Sequence, residues 1–270
     1  MSNYWYDRQL ETQNKIANKT IYQTEKQLKK YYKKAMKRVI EDFEATFDKL
    51  LATVAKDKEP TPADLYKLDK YWQMQSQLKK ELQKLGDKEV ALLSKQFEDE
   101  WRDIYESISL PSGDAFSTIS TDNAYQMINQ VWLADGKRFS DRIWNNVDNL
   151  IETLNEELMD CVITGRSTSK LKEKLINRFN VSYNRANTLV RTEVANIQTQ
   201  AAARRYQDYG LTKYKYLADT DERTCTHENN GSRNCEDLDG KIFMYSEMRA
   251  GVNAPPMHPN CRCAIVPVVD

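Results

Sequence analysis

Glycine and proline are scarce in this chain, 8 and 7 among 270 residues, and histidine is scarcer still at 2. So few helix breakers beside 30% charged residues and a mean hydropathy of -0.76 describe a water-soluble, helix-rich protein. No run approaches the 18 apolar residues that a membrane helix needs, so no membrane partner is expected. Residues 1–8 show no apolar stretch behind a basic start, and the chain is expected to stay in the cytosol where it is made. Net charge is missing as well: Lys+Arg 40 cancels Asp+Glu 40, so any nucleic-acid contact must come from a local basic patch. Several catalytic signatures are absent. There is no H-E-x-x-H, no G-x-x-x-x-G-K-[ST] and no G-x-G-x-x-G, and neither His precedes a Glu by two positions as a zinc deaminase requires.

Cysteine is rare and unevenly placed. Only Cys161 lies in the first 224 residues, whereas Cys225, Cys235, Cys261, Cys263 and both histidines fall in the last 46. In a reducing compartment such a cluster favours metal ligation or thiol chemistry over structural disulfides.

Helical periodicity fills most of the rest. Met36, Ile40, Phe43, Phe47, Leu50 and Val54 share one stripe, and Pro60 and Pro62 end that helix. Upstream, Lys29, Lys30, Lys33, Lys34, Lys37 and Arg38 surround Tyr31 and Tyr32, either as a contact for DNA or an acidic partner or as a solvated face. A second helix starts at Thr61 and Pro62, with Leu65, Leu68, Trp72, Leu78, Leu82 and Leu85 on its apolar side. Gly86-Asp87 reads as a break, and Val90, Leu93, Phe97, Trp101, Ile104 and Ile108 then carry a third helix to Pro111. Residues 114–140 predict a shorter helix and a turn. Ile143 to Leu158 mark a fourth long helix whose stripe takes in Cys161 as a buried apolar thiol, and Leu171, Leu175 and Phe179 a shorter fifth. The last helix is expected from a Ser182 cap to Gly210. Its stripe of Ala186, Val190, Ile197 and Ala201 includes Glu193, which must find a partner, a cation or a water-filled cleft, or else edge into solvent.

Beyond Gly210 the pattern turns to short β-type runs at 214–218, 241–245 and 264–268, which the preceding helix would cover, bringing Glu193 toward the cysteines. The expected fold is therefore mainly α: a long helical N-terminal bundle or hairpin over residues 1–140, then a segment 141–270. That segment has helices to 209 and a small α+β module with a Cys/His cluster at 210–270.

Tetrahedral zinc takes four Cys or His ligands, and the tail offers five candidates: Cys225, Cys235, His258, Cys261 and Cys263. His258 and Cys261 form an H-x-x-C pair stiffened by Pro259, while the C-x-C pair is sterically tighter. The first choice is Cys225, Cys235, His258 and Cys261, with Cys263 as substitute; His227 reads as a loop residue. A Cys nucleophile paired with His258 is the enzymatic alternative.

Four motifs follow one another in order. They are Arg191-Thr192-Glu193 on a helix, then Asp219-Thr220-Asp221-Glu222-Arg223-Thr224-Cys225, then residues 235–243, then Pro255-Pro256-Met257-His258-Pro259-Asn260-Cys261-Arg262-Cys263. Together, over about residues 160–268, they resemble the Mu F-like phage head morphogenesis family of minor head proteins. The resemblance implies a virion component present in few copies, made in the host cytoplasm. Its implied partners are the portal and the major capsid or scaffolding protein, with a role in DNA packaging or delivery in some members. It implies assembly without catalysis, and a polar centre of Arg191, Glu193, Asp221 and Arg223. The competing expectation is an effector-like enzyme using Glu193, Arg191, Arg223 and His258. Family members commonly carry a short C-x-x-C where nine residues separate Cys225 from Cys235, which weights Cys261 over Cys225 as a ligand.

Overall fold

The computed structural model describes residues 3–54, 69–109, 121–133, 135–164, 168–219 and 235–269. Five helices carry most of the chain: α1 (Asn3–Val54), α2 (Asp69–Ser107), α3 (Thr121–Ile128), α4 (Phe139–Ile163) and α5 (Thr168–Asp208). After them come β1 (Lys213–Leu217), the single-turn α6 (Cys235–Leu238), β2 (Ile242–Met244) with a 3-10 turn at Tyr245–Glu247, and β3 (Ala264–Pro267). Among the described residues no helix is long and apolar enough to cross a membrane.

Two compact units are each assembled from non-contiguous stretches. One comprises Lys26–Ala91 and Ser140–Asn187, the other Met1–Glu25, Leu92–Phe139 and Thr188–Asp270. In the first, Leu28, Tyr32, Ala35, Val39 and Phe43 of α1 and Met74, Leu78, Leu82 and Leu85 of α2 are buried at three- and four-residue spacing. Val147, Leu150, Leu154, Leu158 and Cys161 supply the α4 stripe, Cys161 being the buried thiol its position implies.

The helix joins differ from expectation in two places. Gly86 does not break α2, which runs through it. A β-carbon there would lie 2.6 Å from Trp144 Cζ3, so glycine is where the Trp144 ring packs on the helix surface. Ser182 does not cap a new helix but sits buried inside α5. Its hydroxyl is 3.3 Å from the Tyr32 hydroxyl, and its carbonyl accepts a hydrogen bond from Asn146 Nδ2 at 3.0 Å. The α2 stripe is also offset from its reading: Tyr71 rather than Trp72 is buried, and Glu89 rather than Val90. Phe47, Leu50 and Val54, and the expected helix start at residues 61–68, lie outside the side chains described.

In the second unit Arg205 fixes the end of α2. Its Nε donates to the Ile108 carbonyl at 3.1 Å, and its guanidinium lies between the Tyr105 and Tyr209 rings, 4.8 and 4.6 Å from their centroids. Gly210 ends α5 with φ +80°; its amide donates to Gln207 and that of Leu211 to Tyr206, the paired bonds of a Schellman stop. The chain then enters β1, the central strand of an antiparallel sheet ordered β2-β1-β3, with Tyr214 opposite Phe243 and Tyr216 opposite Ile265. Alternation sends Tyr214 and Tyr216 to the same inner face, and both are fully buried.

Candidate metal centre

β1 and β3 position the cysteines. Cys261 and Cys263 sit two residues apart in the segment leading into β3, and Cys235 begins α6, whose exit is tied to β1 by the amide of Gly240 bonding Tyr216 O and that of Tyr216 bonding Lys241 O, each at 2.9 Å. The result is one buried cluster of Cys235, Cys261, Cys263 and Tyr216, walled by Ala218, Leu238, Phe243 and Met257. The three sulfurs lie within 4.8 Å of one another. A tetrahedral ion with bonds of about 2.3 Å would set its sulfurs about 3.8 Å apart. The three thiols are therefore close enough to converge on one metal ion.

Their protonation is shared. Hydrogen bonds from Cys235, then Cys263, hold the Cys261 thiol far below its ordinary value, helped by the His258 side chain and a Met257 backbone bond. Hydrogen bonding to Cys261 and Cys263, followed by burial, pushes Cys235 up. Cys263 gains from Cys235 but is opposed by Cys261 and burial, and is pushed up to about 11. A metal ion would displace the protons that the three thiols share. Burial, with Cys263 and Cys261 nearby, keeps the Tyr216 phenol protonated. Its hydroxyl sits among the sulfurs, interacting with the Cys263 and Cys235 side chains.

The His258-Pro259-Asn260-Cys261 turn explains its own sequence. The amide of Cys261 donates back to the His258 carbonyl at 3.1 Å, with Pro259 second in the turn and Asn260 third at φ 59°, the pattern of a type II turn. The Asn260 amide donates to Thr192 Oγ1 at 3.1 Å, joining the turn to α5, and the same hydroxyl donates to the Thr188 carbonyl at 2.7 Å. Beside it lies a cleft of about 610 Å³, with Asn14, Asn18, Arg191, Gln198, Asp219 and His258 among its polar lining.

Of the residues singled out from the sequence, the structure brings Cys235, Cys261 and Cys263 together, so the substitute ligand is a full member of the cluster. His258 is adjacent to Cys261, and its Nδ1 lies 2.9 Å from the Pro259 carbonyl. Cys225, Asp221 and Arg223 lie outside the described residues, as does His227. Glu193 is buried rather than edging into solvent, but it does not line the cleft beside the cysteines. At 100° per residue it points well away from Arg191, Val194, Ala195 and Gln198, which share the face toward the tail. Its Oε2 accepts a hydrogen bond from Trp132 Nε1 at 2.9 Å. Arg191 instead pairs with Glu25 at 2.7 Å. Lys29, Lys30, Lys33, Lys34 and Lys37 are exposed on α1, whereas Arg38 is half-buried and bound to Glu81 at 3.0 Å. Sequence reasoning missed Tyr216 and Thr192; the alternation of β1 and the Arg-Thr-Glu motif were the available signals.

Comparison with known proteins bears on this half of the chain. Residues 152–266 match the family model described as Phage Mu protein F like protein. An uncharacterized protein of Haemophilus influenzae is 24% identical over 120 residues, 44% of this chain and 25% of its own length. A protein of Enterococcus faecalis named NAD(+)--arginine ADP-ribosyltransferase EFV is 27% identical over 149 residues, 50% of this chain and 29% of its own. This chain thus spans about a quarter of the length of the curated relatives it matches. No solved structure matches it. The region is Mu F-like, which fits a phage head morphogenesis protein and a component of the virion.

Proposed function

We propose that this chain, Mu F-like over residues 152–266, is a minor head protein acting in procapsid assembly with the portal and the major capsid or scaffolding protein. The observation that carries the reading is the match of that region to the family, reinforced by a module whose buried centre takes its three cysteines from the motifs that define the resemblance. Made in the host cytoplasm, the protein enters the head and serves in DNA packaging or delivery. The role is non-catalytic.

Zinc is the metal that suits the thiols. Cys235, Cys261 and Cys263 would hold it, with the fourth place taken by His258 or Cys225. Bound there it would supply a fixed crosslink among the thiols, packed against Phe243, Leu238 and Met257 on one side and facing the cleft that His258, Cys261 and Cys263 line on the other. The exposed lysines at 29, 30, 33, 34 and 37 form a basic arc of α1 suited to DNA phosphates or an acidic partner.

The test is genetic and compositional. A phage deleted for this gene should yield defective heads, and the protein should be found in wild-type heads and co-purify with the portal from assembling lysates. Normal, infectious heads without it would overturn the assembly role. Absence of stoichiometric zinc from protein purified under reducing conditions would overturn the metal assignment.

A further inference from the structure

We propose that a small pocket between α1 and α5, in the unit of residues 26–91 and 140–187, is the docking point of an acidic segment of a partner protein. One aliphatic side chain of that segment fills the pocket while its carboxylates meet the lysines around it. The inference rests on the contact reading of the lysine arc given above and commits the arc to one occupant. The pocket has a volume of about 100 Å³ and is walled by Tyr32, Met36, Phe179 and Tyr183. Lys29 and Lys33 of α1 and Asn180 of α5, all exposed, complete its lining, which includes no carboxylate.

The charge around the pocket calls for an anionic partner. Elsewhere in the helices lysines meet a carboxylate one turn away, Lys15 with Glu11 and Lys84 with Glu81, each at 2.6 Å. No Asp or Glu occurs between Glu25 and Glu41, and Lys29, Lys30, Lys33 and Lys34 have no ion pair among the described residues. They stand four apart from one another instead, 29 with 33 and 30 with 34, and like charges at that spacing work against the helix. Uncompensated positive charge beside an apolar hole is the complement of an acidic segment with one apolar anchor. DNA fits less well. Its phosphates would answer the lysines but leave the pocket unused, and the rings that could stack on bases are engaged. Tyr32 is buried edge-on to Tyr183 at 5.6 Å, and Lys88 Nζ lies over the Tyr31 ring, 6.0 Å from its centroid.

The full chain is titrated at low ionic strength against three fluorescein-labelled probes: a peptide of eight glutamates with a central leucine, the same peptide with a central glycine, and a short DNA duplex. The leucine peptide should bind about 10-fold more tightly than the glycine peptide, because one aliphatic side chain leaves water. Asn180→Trp, at an exposed helical position, should fill the pocket and erase that preference without weakening the glycine peptide. Lys29→Gln combined with Lys33→Gln should weaken both peptides about 5-fold. Equal affinities for the two peptides, or a leucine preference that survives Asn180→Trp, would overturn the proposal and leave the arc a contact surface of charge alone. A duplex held more tightly than the leucine peptide would overturn it in favour of DNA. If none of the three binds, the contact reading of the arc falls with it.

Discussion

In the helical unit of residues 26–91 and 140–187 the interior is aliphatic and repetitive: Leu28, Leu78, Leu82, Val147 and Leu154 recur at helical spacing along three different helices. The sheet module beyond Gly210 has strands of five, three and four residues, and its centre is three thiols and a phenol. The difference teaches how each interior can fail. Where stability is spread over many methyl groups, one substitution removes a local increment; where it is gathered in one polyvalent centre, one substitution removes the whole.

The largest effect should therefore come from the module. If the thiols hold zinc as proposed, chelation, or Cys261→Ser, should expose residues 213–267 to proteolysis and hydrogen exchange while helical circular dichroism persists, since structural zinc binding is worth about 10–16 kcal/mol. Coincident melting of sheet and helices would erase the contrast.

The helical unit has its own vulnerable point in Glu89, whose burial pushes its carboxyl up to about 8 against a weaker opposing bond from Tyr32. The folded state keeps a proton that the unfolded chain releases near 4.5, so stability is fully present below that value and lost as pH rises toward 8. Urea unfolding should show wild type losing roughly 3 kcal/mol between pH 5 and 8, and Glu89→Gln losing much less of it. Parallel pH profiles would refute the assignment.

Gly86→Leu should cost about 1–3 kcal/mol by driving a side chain into the Trp144 ring, measured as a shift in denaturant midpoint without loss of the module. The smallest effect on folding should follow neutralisation of Lys29, Lys30, Lys33, Lys34 and Lys37, within about 0.5 kcal/mol of wild type. If the arc contacts DNA, the same variant should flatten the salt dependence of DNA association by up to about four in log-log slope. An unchanged slope would remove DNA from its partners.

Helix existence was legible from about residue 26 onward because apolar residues recur every three or four positions, but the first part of α1, which buries Gln13, Thr20 and Thr24, was not, and neither were the joins. Glycine at 86 reads as a stop only until Trp144 is seen to occupy the missing side chain's space, a fact that involves a residue 58 positions away. Ser182 has the chemistry of a cap and instead serves Tyr32 and Asn146. Glu193 was visible as a carboxylate inside an apolar stripe. Glu89 and Glu100, buried in α2, were not, because Val90 and Trp101 offered nearby apolar residues to carry the pattern. In the tail the inventory of ligands was legible, but their grouping was not. Among the described residues the convergence of Cys235, Cys261 and Cys263 depends on β1 meeting β3 about fifty residues away and on the Gly240 and Lys241 bonds to Tyr216, and spacing between cysteines does not encode those pairings.

The Thr192 hydroxyl uses both its hydrogen-bonding capacities, giving its proton to Thr188 and receiving the Asn260 amide. Its consequence belongs to heredity. Two motifs separated by 68 positions share one bond, so a lineage that replaced the hydroxyl at 192 would strand the amide of the H-P-N-C turn, and a lineage that rebuilt the turn would idle the hydroxyl. Drift at either place is answerable to the other, and the helix motif and the cysteine turn should pass through descent as a single character.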